Sequence, residues 1–284
     1  MSLKNICRAL YAQLLLWGLL LLPQVTVQAE TPVYSLAIVP QYTPLFIYRN
    51  WYPLIGEIEK EMGVRIEIKT YKSFEQFIKA LQKGEADFSY LSPYHLLLAR
   101  KKQNYIPLLR DSDKQLVGLV IVPKDSQLKT IDDLQGKTIA FPSPNAFAAS
   151  LYLRAWLTEK VGIDFTPRYV GTHGNVYRNV VHNFVSAGGG VNSTLASQPE
   201  SLRQALRVLY EIPGVAAHPL AVHERVPEKV RQAFSRSILK LKKTEMGRQL
   251  LTEVQMSSPI LANYEKDYAF IETLNLEKYR GVIK

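Results

Sequence analysis

Two rhythms of apolar residues run along this chain. Short strand-like runs, either continuously apolar or alternating with polar residues, are separated by longer stretches in which apolar residues recur every three to four positions. Residues 34–39 (Tyr-Ser-Leu-Ala-Ile-Val) form the first short run, stopped by Pro40. Trp51, Leu54, Ile55, Ile58 and Met62 then share one helical face, which predicts a helix ending at Gly63. Val64, Ile66 and Ile68 alternate with Arg65, Glu67 and Lys69, as in a half-buried strand. Ser73, followed three residues on by Gln76, is a capping-box pair, and Phe74, Phe77, Ile78 and Leu81 give the buried face of the helix it opens. After the strand-like run 86–91, Ser92-Pro93 sets an N-cap and a first-turn proline at the head of a helix over about 93–102. The N-terminus of that helix must therefore lie at the end of the preceding strand.

The alternation continues downstream. Residues 116–122 are continuously apolar, 130–137 read as a short capped turn, and 138–141 as a strand that leads through a Pro/Ser/Asn loop into a helix over about 146–160. Strands are expected at 168–171 and 207–212, a helix over 175–184, a return strand at 218–222, and helices starting near Pro227 and Asn263. Strands and helices taking turns in this way predict α/β layers around a largely parallel sheet.

The first residues follow another pattern. Lys4 and Arg8 precede an apolar run over 9–22, broken only by Gln13 and Gly18, and then come Pro23 and the triplet Val27-Gln28-Ala29. The run is shorter than the roughly 20 apolar residues that span a bilayer, so residues 1–29 read as a signal peptide, with an uncleaved anchor as the competing reading. Cys7, the one cysteine, falls inside that segment, which leaves the rest without disulfides, thiolate metal sites or a thiol nucleophile. A net charge of +10 favours anionic partners. The bases are scattered, with short clusters at 100–102 and 240–243 and no stripe interleaved with aromatics, so nucleic acid is not an expected partner. There is no Gly-x-Ser-x-Gly, His-Glu-x-x-His or P-loop pattern, which argues against an enzyme. His95, His182, His218 and His223 have no metal-ligand spacing, and neither metal nor cofactor is expected.

Three segments in this order carry a resemblance: Lys83-Gly84-Glu85-Ala86-Asp87-Phe88-Ser89-Tyr90-Leu91-Ser92-Pro93-Tyr94, then Val120-Ile121-Val122-Pro123-Lys124-Asp125-Ser126, then Leu134-Gln135-Gly136-Lys137-Thr138-Ile139-Ala140-Phe141. With Gly171-Thr172-His173 and the closing segment 263–268, the chain resembles the phosphonate-binding family of type II periplasmic binding proteins. The resemblance implies two Rossmann-like α/β lobes joined by a two-strand hinge: lobe 1 from 30–117 plus 219–284, lobe 2 from 118–218, with crossings at 116–122 and 218–222. It further implies a periplasmic, monomeric receptor of an ABC-type uptake system that closes on a small oxyanion or phosphonate-like ligand. The alternative is a sensory protein that presents an anion, for example a sulfur oxyanion, to a membrane kinase or receptor. Either way, no membrane insertion is expected after signal cleavage.

By the family pattern, Tyr42, Tyr90, Ser92, Tyr94 and His173 match ligand-lining positions. Physical chemistry points to the same region, because ligands of open α/β sheets sit beyond the C-terminal strand ends, where helix N-termini offer unpaired N–H groups. Here those places are 40–44, 90–94, 142–148, 171–175 and 188–194. His173 either donates to an anion, aided by protonation near pH 6.5, or caps its own turn. Two departures stand out. Ala146-Phe147-Ala148 occupies the place of the family's Ser-Thr-Ser run, with Ser143 and Asn145 as candidates to compensate and Phe147 as an aromatic wall. Neutral Asn192 stands where the family tends to place acidic residues that meet an amino group. The adjacent Gly188-Gly189-Gly190 run serves either close backbone approach or a tight strand-to-helix turn.

Overall fold

The first strand, β1 (Val33–Ile38), runs into a loop where the Thr43 side chain accepts from the Phe46 N–H and caps α1 (Pro44–Met62), which ends at Gly63 with φ 65°. This describes the start of a computed structural model covering residues 30–281; the proposed signal segment, 1–29, lies outside the described residues. There follow β2 (Arg65–Lys69), α2 (Phe74–Gln82) capped by Ser73, β3 (Phe88–Tyr90), α3 (Pro93–Gln103) capped by Ser92, and β4 (Ile106–Asp111). Next come β5 (Gln115–Leu116), β6 (Gly118–Pro123), β7 (Thr138–Phe141), and α4 (Tyr152–Trp156) flanked by π-helical turns at Phe147–Leu151 and Leu157–Val161. The middle of the chain closes with β8 (Thr166–Tyr169), α5 (His173–Val181), β9 (Ala187–Val191), α6 (Asn192–Ala196), α7 (Glu200–Gln204) and β10 (Leu206–Glu211). Last are β11 (Val215–Ala216), β12 (Leu220–Val222), α8 (Glu228–Leu241), α9 (Glu245–Glu253), β13 (Pro259–Leu261) and α10 (Tyr264–Asp267).

These strands form two main sheets, each the centre of an α/β lobe. One has the order β13-β4-β12-β3-β1-β2 and the other β10-β6-β9-β7-β8. In the first, β1 pairs parallel with β2 and β3, whereas β12 and β13 return antiparallel. In the second, β7 pairs parallel with β8 and β9, and β6 runs antiparallel to both its neighbours. The apolar pattern does not announce β4 or β13. β4 carries Pro107, which lacks an N–H and reads against a strand, but here it sits opposite Ala221 where the register shifts.

A third, two-stranded sheet joins the lobes. Leu116 pairs with Val215 and Gln115 with Ala216. The crossings are therefore shorter than 116–122 and 218–222: residues from Gly118 on already lie within the second sheet, and Leu220–Val222 within the first. The glycine run is not a turn. It is the middle strand of the second sheet, and a Cβ at Gly189 would come within 2.2 Å of the Ala149 carbonyl oxygen, while one at Gly188 would meet Val176 at 2.5 Å. Only glycine lets the α4 segment and α5 approach this strand from its two faces.

The final described residues also touch the second lobe. Arg154 on α4 donates to the carbonyls of Pro144 and Tyr279, at 2.7 and 2.6 Å, and Lys278 pairs with Glu159 at 2.7 Å. Upstream, Asp267 is ion-paired to Arg110 at 2.9 Å and Arg100 lies over the Tyr264 ring, which anchors α10 to the first lobe.

Candidate functional site

Two cavities lie end to end between the sheets, and Leu116 and His218 of the hinge region line both. The inner one is small, about 10 Å³, room for about one water molecule. Its lining includes Gln41 after β1, Ser92 at the head of α3, Ala146 to Ala149 at the start of the α4 segment, and His173 at the head of α5. Three helix starts, from both lobes, thus converge on it. Ser92 Oγ accepts from the His95 N–H at 3.2 Å, and Thr172 Oγ1 caps α5 through Asn175 N at 3.2 Å. The α4 segment begins without any side-chain cap, and the N–H groups of Ser150 and Leu151 both turn back to the Ala146 carbonyl. Its first-turn N–H groups have no acceptor within the helix, and each such start favours negative charge by roughly 0.3–1 kcal/mol.

The histidines of this region are neutral. Burial pushes His95 and His173 down to about 4 and His218 down to about 3. Thr194 Oγ1 stands within hydrogen-bond distance of the Val191 carbonyl at 3.1 Å, the Tyr177 hydroxyl at 2.6 Å and His173 Nδ1 at 3.2 Å. As a neutral imidazole, His173 carries one ring N–H and one lone pair. The expectation of a His173 charged near pH 6.5 gives way to a neutral ring, because desolvation disfavours the imidazolium.

Phe147 closes the inner cavity as a lobe-to-lobe contact. Its ring stacks between Tyr94 of α3, 6.3 Å away, and Tyr152 of α4, 5.7 Å away. Beside it, His95 Nε2 contacts the Asn145 carbonyl at 3.1 Å. Ser143 and Asn145 do not line either cavity. Ser143 shapes the turn, its Oγ accepting from Asn145 N at 3.3 Å, and the Asn145 side chain accepts from Gly281 N at 3.0 Å. Tyr94 is buried behind Phe147 and likewise lines neither.

The outer cavity measures about 770 Å³ and opens beside Tyr42, Phe46 and Asn50 on one lobe and Asn192 to Ser197 on the other. Tyr42 stacks on Phe46 at 4.6 Å, and its hydroxyl meets Gln255 and Ser197. Tyr90 stacks on His218 at 5.4 Å. Asp113, Lys114 and Glu253 also line the space. Asn192 reaches it, but its amide is committed to the hinge: Nδ2 donates to the Gln115 carbonyl at 2.8 Å and Oδ1 accepts from Val117 N at 3.3 Å.

Of the nine residues read from the sequence, Ser92, Phe147 and His173 therefore gather at the inner cavity, and Tyr42, Tyr90 and Asn192 at the outer. Sequence reading missed Gln41, Phe46, Gln115, His218 and Gln255. Phe46 had a usable signal, since Tyr42 and Phe46 are four apart at a helix start, the spacing of a stacked pair. The other four come from loops and hinge strands that the fold alone brings together.

Two α/β lobes joined by a two-stranded hinge, with a cavity between them, define the type II periplasmic binding protein class. The family described as the periplasmic phosphonate substrate-binding protein of ABC transporters matches residues 36–268, and the chain belongs to that family. Among solved structures it is similar to a binding protein component of an ABC phosphonate transporter from Pseudomonas aeruginosa, at 15% identity, 86% of each chain covered and a TM-score of 0.77. It is also similar to PhnD1 from Prochlorococcus marinus in complex with methylphosphonate, at 16% identity, 88% of this chain and 99% of that one, and a TM-score of 0.78. A Xanthomonas citri protein bound to ATP matches at 16% identity over 88% and 98%, with a TM-score of 0.70. No curated protein matches the chain. No helix among the described residues is long and apolar enough to cross a membrane.

Proposed function

We propose that this chain is the periplasmic substrate-binding protein of an ABC-type uptake system, capturing an oxyanion or phosphonate-bearing solute between its lobes and delivering it to a membrane permease. The observation that carries this reading is the convergence of three helix starts on the inner cavity, two from the second lobe and one from the first. Such a site holds an anion through backbone dipoles and N–H donors, without a lysine or arginine. Because donors come from both lobes, an anion draws the lobes together, and the short pair Gln115–Leu116 with Val215–Ala216 is where the chain flexes. We place the lobe boundaries at 30–117 with 219 onward for the first lobe and 118–218 for the second. Residues 1–29 export the chain, and the protein acts as a monomer by binding rather than catalysis.

The test is thermal unfolding in the presence of phosphate, phosphite, methylphosphonate, sulfate and thiosulfate. A ligand at 100 times its Kd adds about 2.7 kcal/mol of stability. A raised melting temperature with phosphonates or phosphate is the expected result. Flat curves across the whole panel would remove the oxyanion class.

A further inference from the structure

The outer cavity is out of scale with a bare oxyanion. Its 770 Å³ falls in the roughly 300–1,000 Å³ range that encloses a drug-sized molecule. Its charges do not suit an isolated anion either, because the carboxylates of Asp113 and Glu253 stand there against the single ammonium of Lys114. Hydrogen bonds from Ser258 and Ser112 hold the Asp113 carboxyl below its usual range, which keeps it ionised at neutral pH.

What the cavity offers instead is flat aromatic surface. Tyr42 and Phe46 stack in its lining at an interplanar angle of 28°, while Tyr90 and His218 are buried at its floor, Tyr90 packed between His218 and Trp51. Phe46 keeps 37% of its surface exposed, an unspent apolar face at the edge of a cleft. From the second lobe come Asn192, whose amide is committed to the hinge, and the small side chains of Ser193, Ala196 and Ser197. Leu116 and His218 line both cavities, so the two adjoin. At about 10 Å³ the inner one admits an oxyanion head only with the lobes parted, which leaves the rest of a ligand to the outer.

We infer that the cleft recognises a phosphonate or phosphate ester carrying a planar aromatic body, its head at the three helix starts and its ring stacked on the Tyr42–Phe46 pair. This inference rests on the oxyanion reading above and adds the chemistry of the rest of the ligand. Stacking on this aromatic pair contributes binding that methyl cannot supply.

The experiment is calorimetric titration of the protein with methylphosphonate, phenylphosphonate and benzyl alcohol. Phenylphosphonate is expected to bind at least tenfold more tightly than methylphosphonate, and Phe46→Ala, at a partly exposed position, is expected to shrink that ratio below threefold. Equal affinities for the two phosphonates would overturn the aromatic body and leave the oxyanion reading standing. A ratio unchanged in Phe46→Ala would overturn the stacking site. Silence from both phosphonates, with or without binding of benzyl alcohol, would remove the oxyanion reading and this inference together.

Discussion

The inner and outer cavities share two wall residues yet are built on opposite principles. The inner one is made of backbone: helix starts, a π-helical turn without a side-chain cap, and neutral histidines, sealed by the Phe147 ring. The outer one is made of side chains: two aromatic pairs, several amides and a few charges around open space. A site of backbone donors tolerates a change of side chains, so Ala146-Phe147-Ala148 still presents a helix start there without a hydroxyl. A site of side chains is tuned one residue at a time. On the proposed function, the inner cavity carries the affinity for an anionic head and the outer one the selectivity for the rest of the ligand.

The most forceful way to break it is at the support of the inner cavity. Gly189→Ala would drive a Cβ into the Ala149 carbonyl and Phe141, displacing the α4 start that lines the cavity. The expected cost is about 3 kcal/mol, read as a lower denaturation midpoint together with loss of anion binding. Phe147→Ala removes the middle ring of the Tyr94–Phe147–Tyr152 stack and should cost about 3 kcal/mol of stability by chemical denaturation. Its counterpart in the outer cavity, Phe46→Ala, should leave the melting temperature within about 2 °C, because an exposed ring contributes little to the core.

The pH dependence sharpens the same contrast. His95, His173 and His218 have folded-state values of about 4, 4 and 3, below the unfolded value near 6.5. The unfolded chain therefore binds more protons between pH 6.5 and about 4, so stability is highest above pH 6.5 and falls as the pH drops through that window. Thermal unfolding between pH 7.5 and 4.5 should show this decline, and His173→Asn should make it shallower. Ligand binding should run the other way. An anion bound beside the neutral His173 ring raises the pKa that burial has lowered. Binding then takes up a proton, and affinity rises as the pH falls from 7.5 to 5.5, by at most about tenfold per pH unit for a single linked proton. The outer cavity's contribution, the ratio of phenylphosphonate to methylphosphonate affinity, should stay flat over that range.

The parts of the molecule legible in the sequence were those with local signals. Ser73 and Ser92 cap their helices as their patterns predict, and Gly63 ends α1 in the left-handed region. β4 and β13 were not legible, since each is a short strand with a proline whose place is set by antiparallel partners far along the chain. The same limit applies to the site. Ser92 and His173 stand at helix starts and could be found from capping and motif, whereas Gln41, Gln115, His218 and Gln255 meet only because two lobes fold against a hinge. Asn192 shows the converse: a polar residue at a strand end, in the lining of the outer cavity, whose amide is spent on the hinge backbone.

The central claim is that an anion bridging donors on both lobes holds them together. It is tested most directly by measuring the distance between spin labels at Leu45→Cys on α1 and Glu200→Cys at the head of α7, in protein lacking residues 1–29 and hence any native cysteine. Addition of methylphosphonate to saturation should shorten and narrow the distance distribution. A distribution unchanged while calorimetry records binding would contradict closure of the lobes around the ligand.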